Sequence, residues 1–155
     1  MERILFVCLG NICRSPLAEA VFKHKIKELG LAHAFEADSC GTADYHIGCS
    51  PDPRTIKNAL KNGVAIDHAC RQLCVDDFER FDRIFVMDEH NLKHALRLAP
   101  ESRRNKVQLM RAYDPLGIGQ AVPDPYYGGE KDFQEVFDIL ERAIGAFLKE
   151  GTKEK

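Results

Sequence analysis

The sequence has no long hydrophobic run and no recognisable export signal. Its longest apolar runs, Ile4 to Cys8 and Ile84 to Met87, are far shorter than the ~20 residues that a membrane-spanning helix needs. Asn11 and Arg14 follow the first run almost at once, and the small-residue cleavage site of a signal peptide is missing. We therefore expect a cytoplasmic protein that does not act at a membrane.

An excess of charge of one sign is also missing, since 22 lysines and arginines face 24 aspartates and glutamates. The cations are scattered along the chain, which argues against the broad basic surface of a nucleic-acid-binding protein. Any anionic ligand must therefore be held by a local site. With 155 residues, 45% of them hydrophobic, we predict a single domain over residues 1–155 and a frayed tail over 151–155.

Six cysteines are present, but the chain lacks the small size and the export signal of a disulfide-stabilised secreted domain. We expect reduced thiols, of which the first two lie in the motif described below. The sequence assigns no role to the other four, which are Cys40, Cys49, Cys70 and Cys74.

Predicted buried strands alternate along the chain with predicted helices, whose ends are marked by capping residues. Continuous apolar runs predict strands at 3–7 and 83–87, and weaker patterns predict strands at 35–39 and 106–110. This alternation predicts a three-layer α/β domain with about four parallel strands, helices on both faces and the first strand in a central position.

Helix boundaries follow from capping residues. Ser15-Pro16 is typical of an N-cap followed by the first helical residue, and Gly30 suits the end of that helix. Asp52 and Asp88 are predicted to cap two further helices. The segment 132–135 has the form of a capping box, with Asp132 at the cap of the last helix.

The segment from Cys8 to Ser15 has the features of a phosphate-binding loop. A cysteine ends the first strand, five residues follow, and then an arginine and a serine begin a helix. Backbone N–H groups and a helix N-terminus attract an anion, while Arg14 offers a planar fork for two oxygens. Gly10 and Asn11 suit the tight backbone. The expected phosphate-binding residues are Leu9, Gly10, Asn11, Ile12, Cys13, Arg14 and Ser15.

The same surroundings favour the thiolate form of Cys8, because a helix N-terminus and an adjacent cation stabilise its negative charge. A thiolate aimed at a bound phosphate group is a nucleophile. We therefore expect displacement at phosphorus through a cysteinyl-phosphate intermediate.

The sequence resembles the low-molecular-weight protein-tyrosine phosphatases over nearly its whole length. The resemblance rests on the loop and on five further motifs. These are Asp38-Ser39-Cys40-Gly41-Thr42, His68-Ala69-Cys70-Arg71-Gln72, Asp77-Phe78 with Phe81-Asp82, Met87-Asp88-Glu89 and Asp124-Pro125-Tyr126-Tyr127-Gly128. It implies metal-independent hydrolysis of phosphotyrosine in proteins and of small aryl phosphates, without a cofactor and with phosphate and other oxyanions as inhibitors.

A phenolate leaving group needs a general acid, and the long segment 113–130 supplies two candidates that each precede a proline. These are Asp114 and Asp124. The resemblance selects Asp124, which would then serve as base toward water, and we interpret Asp114 as a turn residue.

Further roles are implied by the resemblance alone. Four residues would form a hydrogen-bond network that holds the loop: Asn11, Ser15, Ser39 and His68. Asp88 would lie buried near that network. The walls of a deep aryl pocket would be Leu9, Ile12, Tyr45, Tyr126 and Tyr127, the last two being phosphorylated in some family members. Cys13 would form a disulfide with oxidised Cys8 and protect it.

Three alternatives remain. An arsenate reductase on the same scaffold needs cysteines after the strand at 83–87, where none occurs. A phosphoarginine phosphatase typically carries threonine at the position of Ile12. A phosphate-binding module without turnover would be expected to lose Cys8 or Asp124. Of these functions, the tyrosine phosphatase fits the sequence best. His90 and His94 have helical spacing but lack a third ligand, so we predict no metal site.

Overall fold

The computed structural model describes residues 1–150 and contains a four-stranded parallel sheet with helices on both faces. Its strands are β1 (Glu2–Cys8), β2 (Phe35–Gly41), β3 (Arg83–Val86) and β4 (Val107–Leu109). Its α-helices are α1 (Arg14–Glu28), α2 (Pro53–Lys61), α3 (Asp77–Arg80), α4 (Glu89–Leu98) and α5 (Glu130–Glu150). Short 3₁₀ segments span Glu101–Lys106 and Met110–Tyr113. The predicted tail 151–155 lies outside the described residues.

The strand order is β2-β1-β3-β4, which confirms the predicted class, strand number and central position of β1. Successive side chains of β1 point to opposite faces of the sheet. Ile4 and Phe6 belong to the core formed with α1, α2 and α5, whereas Leu5 and Val7 belong to the core formed with α3 and α4. No described helix is long and apolar enough to span a membrane.

Two of the predicted caps are confirmed by side-chain hydrogen bonds. Asp52 accepts from the N–H of Arg54 at 2.8 Å, and Asp88 accepts from the N–H of Asn91 at 2.8 Å. Gly30 follows α1 with a φ of 72°, a left-handed conformation that glycine adopts without strain.

Two other predicted caps are wrong. Helix α1 already begins at Arg14, and the hydroxyl of Ser15 is drawn into a buried network instead of capping the helix. Helix α5 begins at Glu130, so Asp132 is its third residue and accepts from the N–H of Gly129 at 2.8 Å. Asp132 is therefore the third helical residue of a capping box and bonds back to the N–H before the helix. The sequence pattern had predicted Glu135 for that position.

Asp114 does more than make the turn that was predicted for it. It accepts from the N–H of Leu116, and its fully buried carboxylate also binds the guanidinium groups of Arg111 and Arg142. Burial raises the pKa of Asp114, but the hydrogen bonds from Arg142, Leu116 and Arg111 outweigh it and lower the pKa to about 2. This ion-pair centre fastens the start of the long segment 114–129 to α5.

Candidate active site

Residues 9–13 join β1 to α1 and are held against the end of β2. The N–H of Thr42 donates to the carbonyl of Cys8 at 2.9 Å, and the N–H of Ala43 donates to that of Leu9 at 3.0 Å. A Cβ atom at Gly41 would lie 2.7 Å from the Leu9 carbonyl oxygen. Only glycine therefore allows β2 to approach the loop this closely.

The backbone of the loop offers free donors. Asn11 has a φ of 59°, the only left-handed non-glycine residue among those described. Within residues 1–150, the N–H groups of residues 9–13 donate to no carbonyl or side-chain acceptor. Free N–H groups in a tight turn before a helix N-terminus are the arrangement that binds oxyanions in proteins.

The side chain of Asn11 fixes the loop from beneath. Its amide nitrogen donates to Ser15 Oγ at 2.8 Å and to Ser39 Oγ at 3.1 Å. Its amide oxygen accepts from His68 Nε2 at 2.7 Å and from the N–H of Arg71 at 3.0 Å. All the hydrogen-bonding capacity of this buried amide is used, so the strained backbone at Asn11 is held in one conformation.

The network continues to Glu19, a buried residue of α1 that the sequence analysis missed. Its carboxylate accepts from Ser39 Oγ at 2.7 Å and lies 3.2 Å from His68 Nδ1. Lys23 binds its other oxygen at 2.6 Å. Glu19 follows Ser15 by four residues and so lies on the same face of the helix. That spacing is the signal that could have identified it.

Cys8 and Ser15 lie in direct contact. Cys8 Sγ is 3.0 Å from Ser15 Oγ, which also lies 3.2 Å from the carbonyl oxygen of Cys40. Because Ser15 Oγ accepts from Asn11 and has a single proton, it donates either to the Cys40 carbonyl or to the sulfur. Donation to the sulfur stabilises a thiolate at Cys8.

Arg14 connects the loop to two other segments. Its Nη1 donates to Asp88 Oδ2 at 2.7 Å and to the carbonyl of Val122 at 3.0 Å. Burial alone would lower the pKa of Arg14, but the charges of Cys8 and Asp88 raise it overall. Its Nη2 lies 3.7 Å from Asp124 Oδ2. The guanidinium group of Arg14 therefore holds the segment 114–129 at Val122 and remains charged beside Cys8.

The two thiols of the loop differ in environment. Burial raises the pKa of Cys13 to about 12, with smaller contributions from the charges of Asp52 and Cys8. Cys13 is therefore a neutral thiol near pH 7. Of the two loop cysteines, Cys8 is the one that bonds to Ser15 and ends β1 at the loop.

A cavity of about 360 Å³ opens above these groups. Its lining includes the two loop thiols, Arg14, Asp124 and His46, together with all five side chains predicted to form the pocket. Those five are Leu9, Ile12, Tyr45, Tyr126 and Tyr127. Tyr127 is almost fully exposed, and the Asp124 carboxylate is half-exposed at the rim.

Comparisons with known proteins agree with this geometry. The model of the family described as low molecular weight phosphotyrosine protein phosphatase matches residues 3–155. The chain belongs to this family. It is 46% identical to the low molecular weight phosphotyrosine protein phosphatase of Schizosaccharomyces pombe over 95% of both chains. It is 46% identical to the low molecular weight protein-tyrosine-phosphatase of Streptomyces coelicolor over 94% of this chain and 91% of the relative.

A solved structure shares this fold over nearly the whole chain. A crystal structure of a protein tyrosine phosphatase from Entamoeba histolytica superposes with a TM-score of 0.96, covering 99% of both chains at 41% identity. The predicted resemblance to this family and the predicted fold class are thus confirmed.

The structure brings the predicted network residues of the family together, with one difference in placement. Asn11, Ser15, Ser39 and His68 are mutually bonded as predicted. Asp88 is half-buried and bonds to Arg14 instead of to these four. Burial raises the pKa of Asp88, but the bonds from Asn91 and Arg14 lower it overall, so it remains a carboxylate.

One group of side chains has the composition of a metal site: Glu19, Asp38 and His68 place their ligand atoms within 4.8 Å of one another. Lys23 already binds Glu19, and Arg71 binds Asp38 at 2.9 Å. These cations neutralise the carboxylates, so the group supports the network below the loop. The expectation that catalysis needs no metal stays a prediction.

Proposed function

We propose that this chain hydrolyses phosphotyrosine in proteins, and small aryl phosphates, through a cysteinyl-phosphate intermediate. The observation that carries the proposal is one cavity lined by Cys8, Arg14 and Asp124, above a loop whose N–H groups at residues 9–13 have no acceptor among residues 1–150. That set provides a nucleophile, an oxyanion site and a proton donor.

The chemistry proceeds in two steps. The Cys8 thiolate forms a bond to phosphorus as the bond to the phenolic oxygen breaks, and Asp124 gives its proton to that oxygen. Asp124 then takes a proton from water, which attacks phosphorus and breaks the bond to sulfur. Arg14 and the N–H groups of the loop bind the equatorial oxygens throughout, where charge develops in the transition state.

Specificity follows from the walls of the cavity and from the burial of Cys8. Side chains of Ile12, Tyr45 and Tyr126 offer apolar and aromatic surface to a phenyl ring. A serine side chain is too short to carry its phosphate down to Cys8. We expect measurable turnover of a phosphotyrosine peptide in chelator, and at least about a hundredfold lower kcat/KM for the phosphoserine peptide of the same sequence. Equal values for the two peptides would contradict this specificity.

No observation favours the alternatives. No cysteine follows Cys74, so a reductase would lack resolving thiols after β3. Ile12 lines the cavity with an apolar side chain, which suits an aryl ester better than a guanidinium group. Inhibition by phosphate and other oxyanions, a single domain over 1–155 and a cytoplasmic location stay predictions.

A second expectation concerns oxidation of the loop. Peroxide should convert the Cys8 thiolate to a sulfenic acid, which condenses with the neutral Cys13 thiol to form a disulfide and release water. We expect thiol to restore most of the activity of the parent after peroxide, but only a minor part of that of Cys13→Ser. Each activity is expressed relative to the same variant before oxidation. Cys74→Ser, which removes an exposed thiol outside the cavity, is the control. Equal recovery by Cys13→Ser and the parent would disprove protection.

A further inference from the structure

A second cavity, of about 510 Å³, lies between α2 and the start of α5. We call it the basic groove. Arg54, Lys57 and Lys61 line it from α2, and Lys131 lines it from α5. Glu130 is the one acidic residue among the described residues of its lining. Four cations against one anion give the lining a formal charge of +3, which Asp52, the partner of Arg54, reduces to +2, in a chain with a formal net charge of −2.

The lysines of the basic groove are available to a ligand. All three are exposed, and within residues 1–150 none of them forms an ion pair. Arg54 differs, because Asp52 binds its guanidinium group at 2.8 Å and holds it in place. The groove therefore combines one paired cation with three exposed lysines that have no ion-pair partner among residues 1–150.

The basic groove adjoins the catalytic cavity. The guanidinium carbon of Arg54 lies 5.3 Å from the ring centroid of Tyr126 and 4.7 Å from that of Phe133. Tyr126 lines the catalytic cavity, and Phe133 lines the groove. The contact between Arg54 and Tyr126 therefore places the two cavities next to each other.

We propose that the basic groove binds acidic side chains of the substrate, so that the preferred substrates are phosphotyrosine segments with aspartate or glutamate nearby. The inference rests on the proposed function and adds a substrate class to it. The acidic residues lie within a few positions of the phosphotyrosine, because the two cavities adjoin at Arg54 and Tyr126. Their carboxylates pair with Lys57, Lys61 and Lys131.

The test compares phosphotyrosine peptides that carry glutamates on the N-terminal side, on the C-terminal side, or glutamines on both. We expect glutamates on one side to raise kcat/KM by about tenfold, and about 0.5 M salt to remove most of that gain. The triple variant Lys57→Gln, Lys61→Gln, Lys131→Gln should lose the gain and retain parental kcat/KM on p-nitrophenyl phosphate. The control triple variant Lys27→Gln, Lys93→Gln, Lys149→Gln changes the net charge equally at exposed sites outside the groove and should keep the gain.

Two results would overturn the groove proposal while leaving the proposed function intact: equal kcat/KM for all three peptides, or an equal loss in both triple variants. A parent protein that turns over neither the peptides nor p-nitrophenyl phosphate would instead contradict the proposed function, and the groove proposal with it.

Discussion

Replacing Cys8 by serine is expected to lower kcat for p-nitrophenyl phosphate by about four to six orders of magnitude. A serine hydroxyl at this position has no base to activate it, because the group that bonds to the sulfur is the Ser15 hydroxyl, itself a proton donor. Arg14 and the N–H groups of the loop remain in place. Steady-state kinetics with the variant should therefore show lost turnover, and calorimetry should show that it still binds inorganic phosphate.

The pairing of lost turnover with retained binding separates a missing nucleophile from a damaged loop. Cys74→Ser is the matched control, since it makes the same substitution at an exposed cysteine that does not line the cavity. Turnover by Cys8→Ser within tenfold of the parent would contradict the cysteinyl-phosphate mechanism. Loss of phosphate binding together with turnover would show that the serine disturbs the anion site.

The main features of the fold and the loop follow from local signals. Continuous apolar runs predict β1 and β3, and capping residues predict the start of α2 and α4, because each signal acts within a few residues. The spacing from Cys8 to Arg14 predicts a phosphate site because the loop, the helix terminus and the arginine are contiguous in sequence. Contiguous groups need no knowledge of the tertiary structure.

The remaining features depend on distant contacts. Ser15 has the sequence context of an N-cap, but the buried groups of Cys8, Asn11 and Cys40 compete for its hydroxyl. Asp114 suits a turn, yet Arg142, which lies 28 residues further on, converts it into a buried ion-pair centre. Glu19 requires His68 and Ser39 beside it before its role is visible. These contacts with Cys40, Arg142, Ser39 and His68 have no local signature. The only local signal is the four-residue spacing from Ser15 to Glu19.

The basic groove also could not be predicted from local sequence, because it is formed by two helices that are distant in the chain. Lys57 and Lys61 follow each other by one helical turn, which in sequence indicates only a solvated helix face. Asn58 of α2 bonds to Gln134 of α5, 76 residues away, and this contact joins the two helices that form the groove. The concentration of positive charge arises from that packing, although the whole chain has a slightly negative formal charge.

In the proposed mechanism, Arg14 links substrate binding to acid catalysis. The Nη1 atom that binds Asp88 also binds the carbonyl of Val122, two residues before Asp124. The same side chain thus holds the segment that carries Asp124, and its Nη2 lies 3.7 Å from Asp124 Oδ2. Asp114 and Arg111 hold the other part of the segment, since Arg111 also donates to the carbonyl of Ala121 at 3.1 Å. The segment that leads to Asp124 is therefore held at Asp114, before residues 115–120, and at Ala121 and Val122, after them.

Replacing Asp124 by asparagine should have an effect that depends on the leaving group. We expect kcat/KM for phenyl phosphate to fall by about 10²–10⁴, because phenolate leaves poorly without a proton. The fall for p-nitrophenyl phosphate should be much smaller, since its leaving group is stable as an anion. The measurement is kcat/KM across a series of aryl phosphates, plotted against the pKa of the leaving phenol, and the slope should be steeper for the variant than for the parent.

The choice of kcat/KM isolates the first step, because it covers the reaction only up to phosphoryl transfer to Cys8. Loss of Asp124 as the base toward water would instead lower kcat equally for all substrates, which share one intermediate. Asp138→Asn, which removes an exposed carboxylate of α5 outside the cavity, is the charge-matched control. An equal decrease in kcat/KM for every leaving group would contradict the role of Asp124 as general acid, whereas a steeper slope would assign the proton to it.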